Sequence, residues 1–213
     1  MNVDQPKTLV ISFQRSGINW LRHCAEHFSG VRTPGRPHMV EDGPSLFDRT
    51  HDVARASKRS EFKSLYDSDG KEIYGRVALL IRNPFDCFVS QYTRKGIPFH
   101  EGIERFAPYA ANISAFHDLS FANKAVFHYE DFASQETGTF AFLRFIGVDP
   151  DRTPCDFRAL VEASRAWYAS EWGVLDRRPE LNDDQRATIR KLCRRRLGHL
   201  TKIYLGRYLK AAA

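Results

Sequence analysis

The sequence contains no apolar run long enough to cross a bilayer, and Met1 to Lys7 form a largely polar start. We therefore expect neither a signal peptide nor a membrane span. The four cysteines are scattered without a CxxC pair or a metal-ligand spacing, which predicts reduced thiols in a cytoplasmic protein and no bound metal. Internal repeats and low-complexity tracts are also absent, so the length predicts one domain over residues 1–213 with a substantial core.

Residues 8–20, TLVISFQRSGINW, combine a short apolar run with a glycine turn and the start of a helical face. Such a strand, turn and helix direct backbone N–H groups and the positive end of a helix dipole at one point, which suits phosphate. Arg15 adds a positive charge and Ser16 adds a hydroxyl donor. The second glycine and the Lys-Ser/Thr pair of a Walker loop are missing, so a magnesium-nucleotide kinase or ATPase is not expected. An ordinary turn with a surface arginine stays open at this point.

A second fully apolar run, residues 77–81, is predicted to be a central strand, and residues 124–128 are predicted to be a third strand. Short strands that alternate with helices predict a parallel α/β sheet. Each predicted strand is followed by a polar motif, namely Arg15-Ser16-Gly17, Arg82-Asn83-Pro84 and Tyr129-Glu130-Asp131. Because ligands bind at the carboxyl ends of parallel strands, the three motifs predict one site. The spacing of Arg82 and Ser90 is compatible with a shared anion.

Residues 45–51 are a candidate for a further short strand, with His51 at or just past its carboxyl end. His51 would then face the same edge of the sheet as the phosphate loop. A histidine with a pKa near neutrality suits a general base. A solvent-facing or helix-capping histidine is the alternative interpretation.

Helical spacing of apolar residues predicts most of the remaining elements. The predicted helices are residues 18–28, 53–60, 103–119 (one kinked helix or two short ones), 137–146, 157–167 and 182–204, with a loop over residues 169–181. The last helix holds much of the net charge of +6, in Arg190, Lys191, Arg194, Arg195 and Arg196. A solvated helix face explains such a run, and a nucleic-acid-binding module is the rival function class.

Together these motifs resemble those of sulfotransferases that use 3′-phosphoadenosine 5′-phosphosulfate (PAPS). FQRSGINWLR is similar to their 5′-phosphosulfate loop, especially to the bacterial PRSGNTWLR form, and LIRNPFDCFVSQY is similar to their 3′-phosphate motif. RTHD at residues 49–52 resembles the family's KTH segment, and FHYEDF resembles its YED motif. The resemblance spans residues 8–147 and implies a P-loop NTPase-like sulfotransferase fold, a three-layer parallel sheet flanked by helices.

The resemblance also implies roles for individual residues. Those implied to bind the donor are Arg15, Ser16, Gly17, Ile18, Asn19, Trp20, Arg82, Ser90 and Tyr129. Trp20 and Tyr129 pack near the adenine, whereas Arg82 and Ser90 hold the 3′-phosphate. The implied catalytic residues are Arg15, Arg49 near the bridging oxygen, and His51 as the base for the acceptor's proton. PAPS is the implied donor and adenosine 3′,5′-bisphosphate (PAP) the product, with no metal.

The sequence departs from the family pattern in several places. Gln14 replaces a proline, and Ile18-Asn19 replace Asn-Thr or Thr-Thr, which removes one hydroxyl donor. The family's late RKG-type loop is not visible, and Arg177 and Arg178 are candidate substitutes. A catalytically silent relative that binds the nucleotide is therefore an alternative to the enzyme.

The base and the acceptor are less closely defined by the sequence. Glu41 or Asp42 is an alternative to His51 as the base. We expect the acceptor to be a small molecule or a glycan, with no nucleic-acid partner. The predicted acceptor pocket is lined by Phe13, Pro98, Phe99, Phe106, Tyr109 and residues 167–172.

Overall fold

Parallel strands form the centre of the protein, which the structure, a computed structural model, describes over residues 7–35, 39–55, 62–120, 123–172 and 179–209. These residues contain β1 (Thr8–Ser12), β2 (Asp48–Thr50), β3 (Arg76–Ile81) and β4 (Lys124–His128), in the order β2-β1-β3-β4. Every neighbouring pair is parallel. The prediction of an α/β fold with a parallel sheet is confirmed.

Helices connect the strands and agree in part with the predicted ranges. In the described residues they are α1 (Ile18–Ser29), α2 (Pro84–Gln91), α3 (Phe99–Arg105), α4 (Ala107–Asp118), α5 (Tyr129–Phe132), α6 (Glu136–Phe145), α7 (Phe157–Trp172), α8 (Asp183–Leu197) and α9 (Leu200–Leu205). The ranges predicted for α1 and α6 are correct to within one residue at each end. The break expected within residues 103–119 falls at Phe106, between α3 and α4.

Two predicted helices differ from the structure at their carboxyl ends. Helix α7 continues to Trp172, so residues 169–172 are helical and not the start of a loop. Its Trp167 packs on His23 of α1, with 5.5 Å between the ring centroids, and this tertiary contact supports the longer helix. Helix α8 ends at Leu197 because Gly198 adopts a φ of 54°, so the predicted helix over residues 182–204 is two helices. Residues 56–60 of the predicted helix 53–60 lie outside the described residues.

Alternate residues of the central strands enter two separate cores, as the two-residue period of a strand requires. Leu9 and Ile11 belong to a cluster with residues of α4 and α8. Val10 and Leu80 belong to a second cluster with residues of α1 and α6. The inner strands are buried on both faces, which explains why they are continuous apolar runs.

The carboxyl ends of the strands lie at one edge of the sheet because the strands are parallel. Phe13, His51, Arg82 and Tyr129 directly follow β1, β2, β3 and β4. The predicted position of His51 just past a strand is confirmed, although β2 contains only three residues. Among the helices described here, none is both long enough and apolar enough to cross a membrane.

Candidate functional site

The turn between β1 and α1 has an unusual backbone. Arg15 has a φ of 69° and Gly17 a φ of 88°, both in the left-handed region. Few residues with a side chain adopt this region, so the surroundings must hold Arg15 there. A Cβ atom at Gly17 would lie 2.5 Å from Cδ2 of Tyr129, so only glycine fits. Helix α1 begins at Ile18, directly after the turn. Its first N–H groups, which have no partners within the helix, therefore lie beside the turn.

Arg82 connects the end of β3 to this turn. Its Nη1 donates a hydrogen bond of 2.9 Å to the carbonyl oxygen of Arg15. Its guanidinium lies 4.2 Å from the centroid of the Tyr129 ring. The Nε atom of Arg82 is buried and has no hydrogen-bond partner among the residues that the structure describes. A buried donor without an acceptor is costly, and a bound anion would satisfy it.

A cavity of about 400 Å³, here named the loop cavity, opens between this turn, the ends of β3 and β4, and α7. It is lined by Arg15, Gly17, Ile18, Asn19, Trp20, Arg82, Ser90, Tyr129, Ala133, Ser134, Val161, Ser164, Arg165 and Tyr168. The structure thus brings together all of the residues predicted to bind the donor except Ser16. The volume lies within the range of small-molecule sites.

The lining of the loop cavity is positively charged. It contains Arg15, Arg82 and Arg165, and none of the described residues that line it is acidic. The N-terminus of α1 adds the positive end of a helix dipole near Arg15. A second set of donors, Arg82 and the hydroxyl of Ser90, lies on β3 and α2. The cavity can therefore bind a ligand that carries negative charge at two separate positions.

The hydroxyl of Ser16, expected from the sequence as a donor to the ligand, does not line the loop cavity. The side chain of Ser16 is fully buried, and its Oγ lies 3.4 Å from the Sγ of Cys87. Burial raises the pKa of the Cys87 thiol to about 12, so this contact joins two neutral groups. The hydroxyl expected to contact the ligand instead packs the turn against α2. Only the backbone of Ser16 is left for the site.

Helix α7 closes the loop cavity, which the sequence did not predict. Ser164, Arg165 and Tyr168 reach the cavity because residues three to four apart lie on one face of a helix. Burial raises the pKa of Tyr168 to about 12, so its hydroxyl is neutral. Residues 167–172 were expected to line the acceptor pocket, but Tyr168 lines the loop cavity instead. The apolar pattern of a helix shows which face is buried but not which part of the protein covers that face.

Trp20 is held rigidly in the wall of the loop cavity. Its Nε1 donates to the carbonyl oxygen of Phe132 and lies within 3.1 Å of Oγ1 of Thr139. Its ring packs edge to face with Phe157 at a centroid distance of 5.8 Å. The indole therefore offers a fixed apolar surface to a ligand.

A second cavity, of about 870 Å³, lies against α4 and is named the α4 cavity. Phe13, Gln14 and His51 line it, whereas the loop cavity begins at Arg15. The turn after β1 thus borders both cavities. His51 lines the α4 cavity, whereas the residues predicted to bind PAPS line the loop cavity. The base proposed from the sequence and the proposed PAPS site therefore lie in different cavities on the two sides of the turn.

His51 is held in one tautomer by the end of β1. Its Nδ1 lies 2.7 Å from the carbonyl oxygen of Ser12. Because a carbonyl oxygen only accepts, Nδ1 carries the proton and Nε2 of the neutral ring is a proton acceptor. Burial, with a smaller effect of the Arg49 charge, lowers the pKa of His51 from 6.5 to about 4. The pKa near neutrality expected from the sequence is therefore too high, and the ring is neutral at pH 7.

Arg49 occupies a different environment from the other predicted catalytic residues. It lines neither the loop cavity nor the α4 cavity. Its guanidinium packs so closely on Gly35 that a Cβ atom there would lie 2.6 Å from Nη2. Its influence on His51 is electrostatic. The predicted contact of Arg49 with a bridging oxygen stays a prediction.

The alternative bases receive no support from their positions. Glu41 and Asp42 are exposed, and neither lines the loop cavity or the α4 cavity. His51 is thus better placed than either carboxylate to act on a molecule in the α4 cavity.

A smaller cavity of about 220 Å³ shares Arg82 and Ser90 with the loop cavity and is bordered by α8. Arg186 lines this small cavity, where its Nε donates to the carbonyl oxygen of Leu181 at 3.2 Å. The late cations expected from the sequence, Arg177 and Arg178, lie outside the described residues. Arg186 was missed because, in sequence, it is one charge among many on a polar helix.

Most of the residues predicted to line an acceptor pocket have other positions. Phe13 lines the α4 cavity. Phe106 and Tyr109 are buried in the core, where the centroids of the Phe106 and Phe13 rings are 5.1 Å apart. Pro98 and Phe99 line neither of the two larger cavities. Aromatic residues at helical spacing can pack inward as well as line a pocket, so the sequence pattern could not separate these outcomes.

The two acidic residues of the third motif hold other parts of the chain. Asp131 accepts two hydrogen bonds from Arg207, of 2.6 and 2.9 Å. Glu130 accepts one hydrogen bond from the hydroxyl of Tyr208 and another, of 3.0 Å, from the backbone N–H of Asn83. These carboxylates therefore fix the end of β4 and do not add negative charge to the lining of the loop cavity.

Comparison of the chain with protein-family models yields no matching family, and comparison with curated proteins yields no match. Among the described residues, no three His, Cys, Asp or Glu side chains lie together as candidate metal ligands. The function is therefore inferred from the geometry and charge of the site.

Proposed function

We propose that this protein is a sulfotransferase that moves a sulfuryl group from PAPS to a hydroxyl or amine of an acceptor. One observation carries the proposal: a single cavity of about 400 Å³ contains two sets of anion-binding groups. The α1 N-terminus with Arg15 suits a 5′-phosphosulfate, and Arg82 with Ser90 suits a 3′-phosphate. The motif resemblance supports the same assignment, and the proposal includes a three-layer, P-loop NTPase-like sulfotransferase fold.

The residues around the loop cavity fit this donor. The buried Nε of Arg82 lacks an acceptor that a phosphate would supply. Gly17 allows the turn to pack directly against the ring of Tyr129. Trp20 and Tyr129 provide aromatic surfaces for a purine. When bound, the donor would supply the sulfuryl group, and the protein supplies charge and positioning.

Arg15 and His51 divide the proposed chemistry between the two cavities. Arg15 stabilises negative charge on the loop-cavity side of the turn. The unprotonated Nε2 of His51 accepts the proton of a hydroxyl bound in the α4 cavity. The α4 cavity is accordingly the proposed acceptor site, and the acceptor hydroxyl would reach the sulfuryl group beside the turn that borders both cavities. There the new O–S bond forms as the bond between the sulfur and the phosphate of the donor breaks, which leaves PAP as the product.

Calorimetry with PAP tests the donor site without requiring an acceptor. We expect saturable binding in the micromolar range, because two sets of cationic groups contact the nucleotide. Adenosine 5′-monophosphate, which lacks the 3′-phosphate, should bind at least about tenfold more weakly because one set is not used. No binding of PAP to the folded protein at millimolar concentration would contradict the proposal.

We expect His51→Ala to lower the rate of sulfuryl transfer from PAPS to an acceptor hydroxyl by about a hundredfold, because a general base is lost. PAP affinity should not change, since His51 lines the α4 cavity only. The low pKa of His51 leaves the ring unprotonated at neutral pH, so the wild-type rate should fall only when the pH drops well below 6.5. His100→Ala, at an exposed histidine in α3, is the control. A full rate for His51→Ala would place the base elsewhere.

The alternative functions differ in what they predict. PAP binding without turnover of any acceptor would indicate the silent relative. A nucleic-acid-binding helix needs a continuous basic face, but the Nε of Arg190 is buried, with its guanidinium 5.8 Å from the centroid of the Phe85 ring. Arg196 lines the α4 cavity. The basic residues of α8 therefore point to several surfaces, which favours the enzyme.

A further inference from the structure

The α4 cavity contains more charged groups than a neutral hydroxyl acceptor needs. Its charged lining residues are Arg55, Lys95, Arg105, Arg196, Asp52 and Glu104. Two of the cations are neutralised locally, because Arg55 pairs with Asp52 at 3.6 Å and Arg105 pairs with Glu101 at 3.0 Å. Among the described lining residues, the charges that remain to act on a bound molecule are Lys95, Arg196 and the carboxylate of Glu104.

Lys95 and Arg196 form no ion pair with any residue that the structure describes. The Nζ of Lys95 donates to Oε1 of Gln91 at 3.3 Å, and this amide leaves the ammonium charge uncompensated. Partial burial and the charge of Arg15 both lower the pKa of Lys95, which places the ammonium in a positive potential near the β1–α1 turn. Arg196 approaches from the last turn of α8.

Part of the wall of the α4 cavity is built from short side chains. Ala107, Ala111 and Ser114 lie three to four residues apart on one face of α4 and line the cavity. Short side chains leave a cavity of about 870 Å³, which has room for more than a single hydroxyl-bearing fragment.

We propose that the acceptor bound in the α4 cavity is an anionic hydroxyl compound, whose negative group is held by Lys95 and Arg196 while its hydroxyl faces His51. The inference rests on the proposed function, because it assigns the acceptor of that reaction. A cleft with excess positive charge concentrates anions. Charge-assisted hydrogen bonds from an ammonium and a guanidinium then select an acceptor with a carboxylate, sulfate or phosphate over its neutral analogue.

Matched probe pairs test this selection directly. Methyl β-glucoside is compared with methyl β-glucuronide, and 4-methylphenol with 4-hydroxybenzoate, in NMR titrations of the protein with and without PAP. We expect the anionic member of at least one pair to bind tenfold or more tightly at low salt. The preference should shrink as the salt concentration rises, since the charges are screened.

Charge-removing variants identify the groups responsible. Lys95→Gln and Arg196→Gln should each reduce the preference for the anionic probe several-fold. In the double variant, the anionic and the neutral probe of a pair should bind with nearly equal affinity. Lys191→Gln and Arg195→Gln remove the same charges from exposed positions of α8 that do not line the cavity, so they should leave the preference intact. Equal losses in the control variants would overturn the inference.

A blocking variant shows whether binding occurs in the α4 cavity. Ala111→Trp fills the cavity from an exposed position and should abolish probe binding with PAP affinity unchanged, whereas Ala141→Trp, exposed on α6, should change neither. Equal affinities within both pairs, no binding of any probe, or probe binding that survives Ala111→Trp would overturn the inference. Absence of PAP binding with the anion preference intact would overturn the proposed sulfuryl transfer, and with it the acceptor role, but not anion binding by Lys95 and Arg196. The two failures are therefore distinguishable.

Discussion

Arg82→Ala is expected to weaken PAP binding by about a hundredfold or more. The residue is 7% exposed and lines the loop cavity, and its Nε has no partner within the described part of the chain. Removal of one partner of a buried, hydrogen-bonded charge pair typically costs about 2–5 kcal/mol. The same substitution also removes the hydrogen bond that holds the carbonyl of Arg15 in its left-handed turn. The substitution should therefore weaken the contacts of the protein with both ends of the nucleotide. Calorimetry measures the resulting decrease in PAP affinity.

Two variants separate the ligand contact from a general effect on folding. Arg82→Lys keeps the charge but loses the planar fork, so PAP affinity should fall by only about tenfold. Arg76→Ala removes an arginine from the opposite end of the same strand and should bind PAP normally. Thermal unfolding of each variant reports the stability of the fold. Unchanged PAP affinity in a folded Arg82→Ala protein would remove Arg82 from the site.

Glu26→Ala is expected to lower the free energy of unfolding by about 3–5 kcal/mol, which is the largest expected effect on stability. The carboxylate is 3% exposed and accepts hydrogen bonds from the backbone N–H groups of Thr33, Met39 and Val40, at 3.0, 2.7 and 3.1 Å. It also lies 3.7 Å from the buried guanidinium of Arg22. The substitution leaves these donors and a buried charge without their acceptor. Thermal denaturation should show a decrease in Tm of about 10 °C.

An exposed ion pair with the same helical spacing is the matched control. Glu101 and Arg105 are also four residues apart and lie closer together, at 3.0 Å, but both side chains are largely exposed to water. Glu101→Ala should change the unfolding free energy by no more than about 0.5 kcal/mol, because exposed ion pairs contribute little. If the two substitutions cost the same, the network around Glu26 does not stabilise the fold as described.

The Glu26 network also connects stability to the site. Arg22 donates to the carbonyl oxygen of Gly35 at 3.1 Å and lies 3.4 Å from Oδ1 of Asn19, which lines the loop cavity. Gly35 in turn packs against Arg49. We therefore expect that a loss of Glu26 disturbs the site as well as the core. Nothing in the local sequence of α1 indicates this network, because its partners lie in the following loop.

The sequence predicted the strands and their polar ends well, for a simple physical reason. Residues 77–81 are short, apolar and rich in branched side chains, so few structures other than a buried strand suit them. Residues 124–128 have only a short apolar centre, Ala125-Val126-Phe127, and form a half-buried strand. Once the strands are parallel, the motifs that follow them must share one edge of the sheet. The meeting of Arg15, Arg82 and Tyr129 around one cavity was predictable on this basis. Helix ends were predicted less well where tertiary contacts extend them, as at Trp172 of α7.

The sequence by itself determined the parallel sheet, the glycine turn and the set of residues that follow the strands, because these depend on local period and turn chemistry. Only the tertiary structure decided the direction of individual side chains. It turned the hydroxyl of Ser16 toward Cys87, placed His51 in the α4 cavity with a lowered pKa, and brought α7 over the loop cavity. Each of these outcomes depends on burial by residues distant in the chain, which no local pattern specifies.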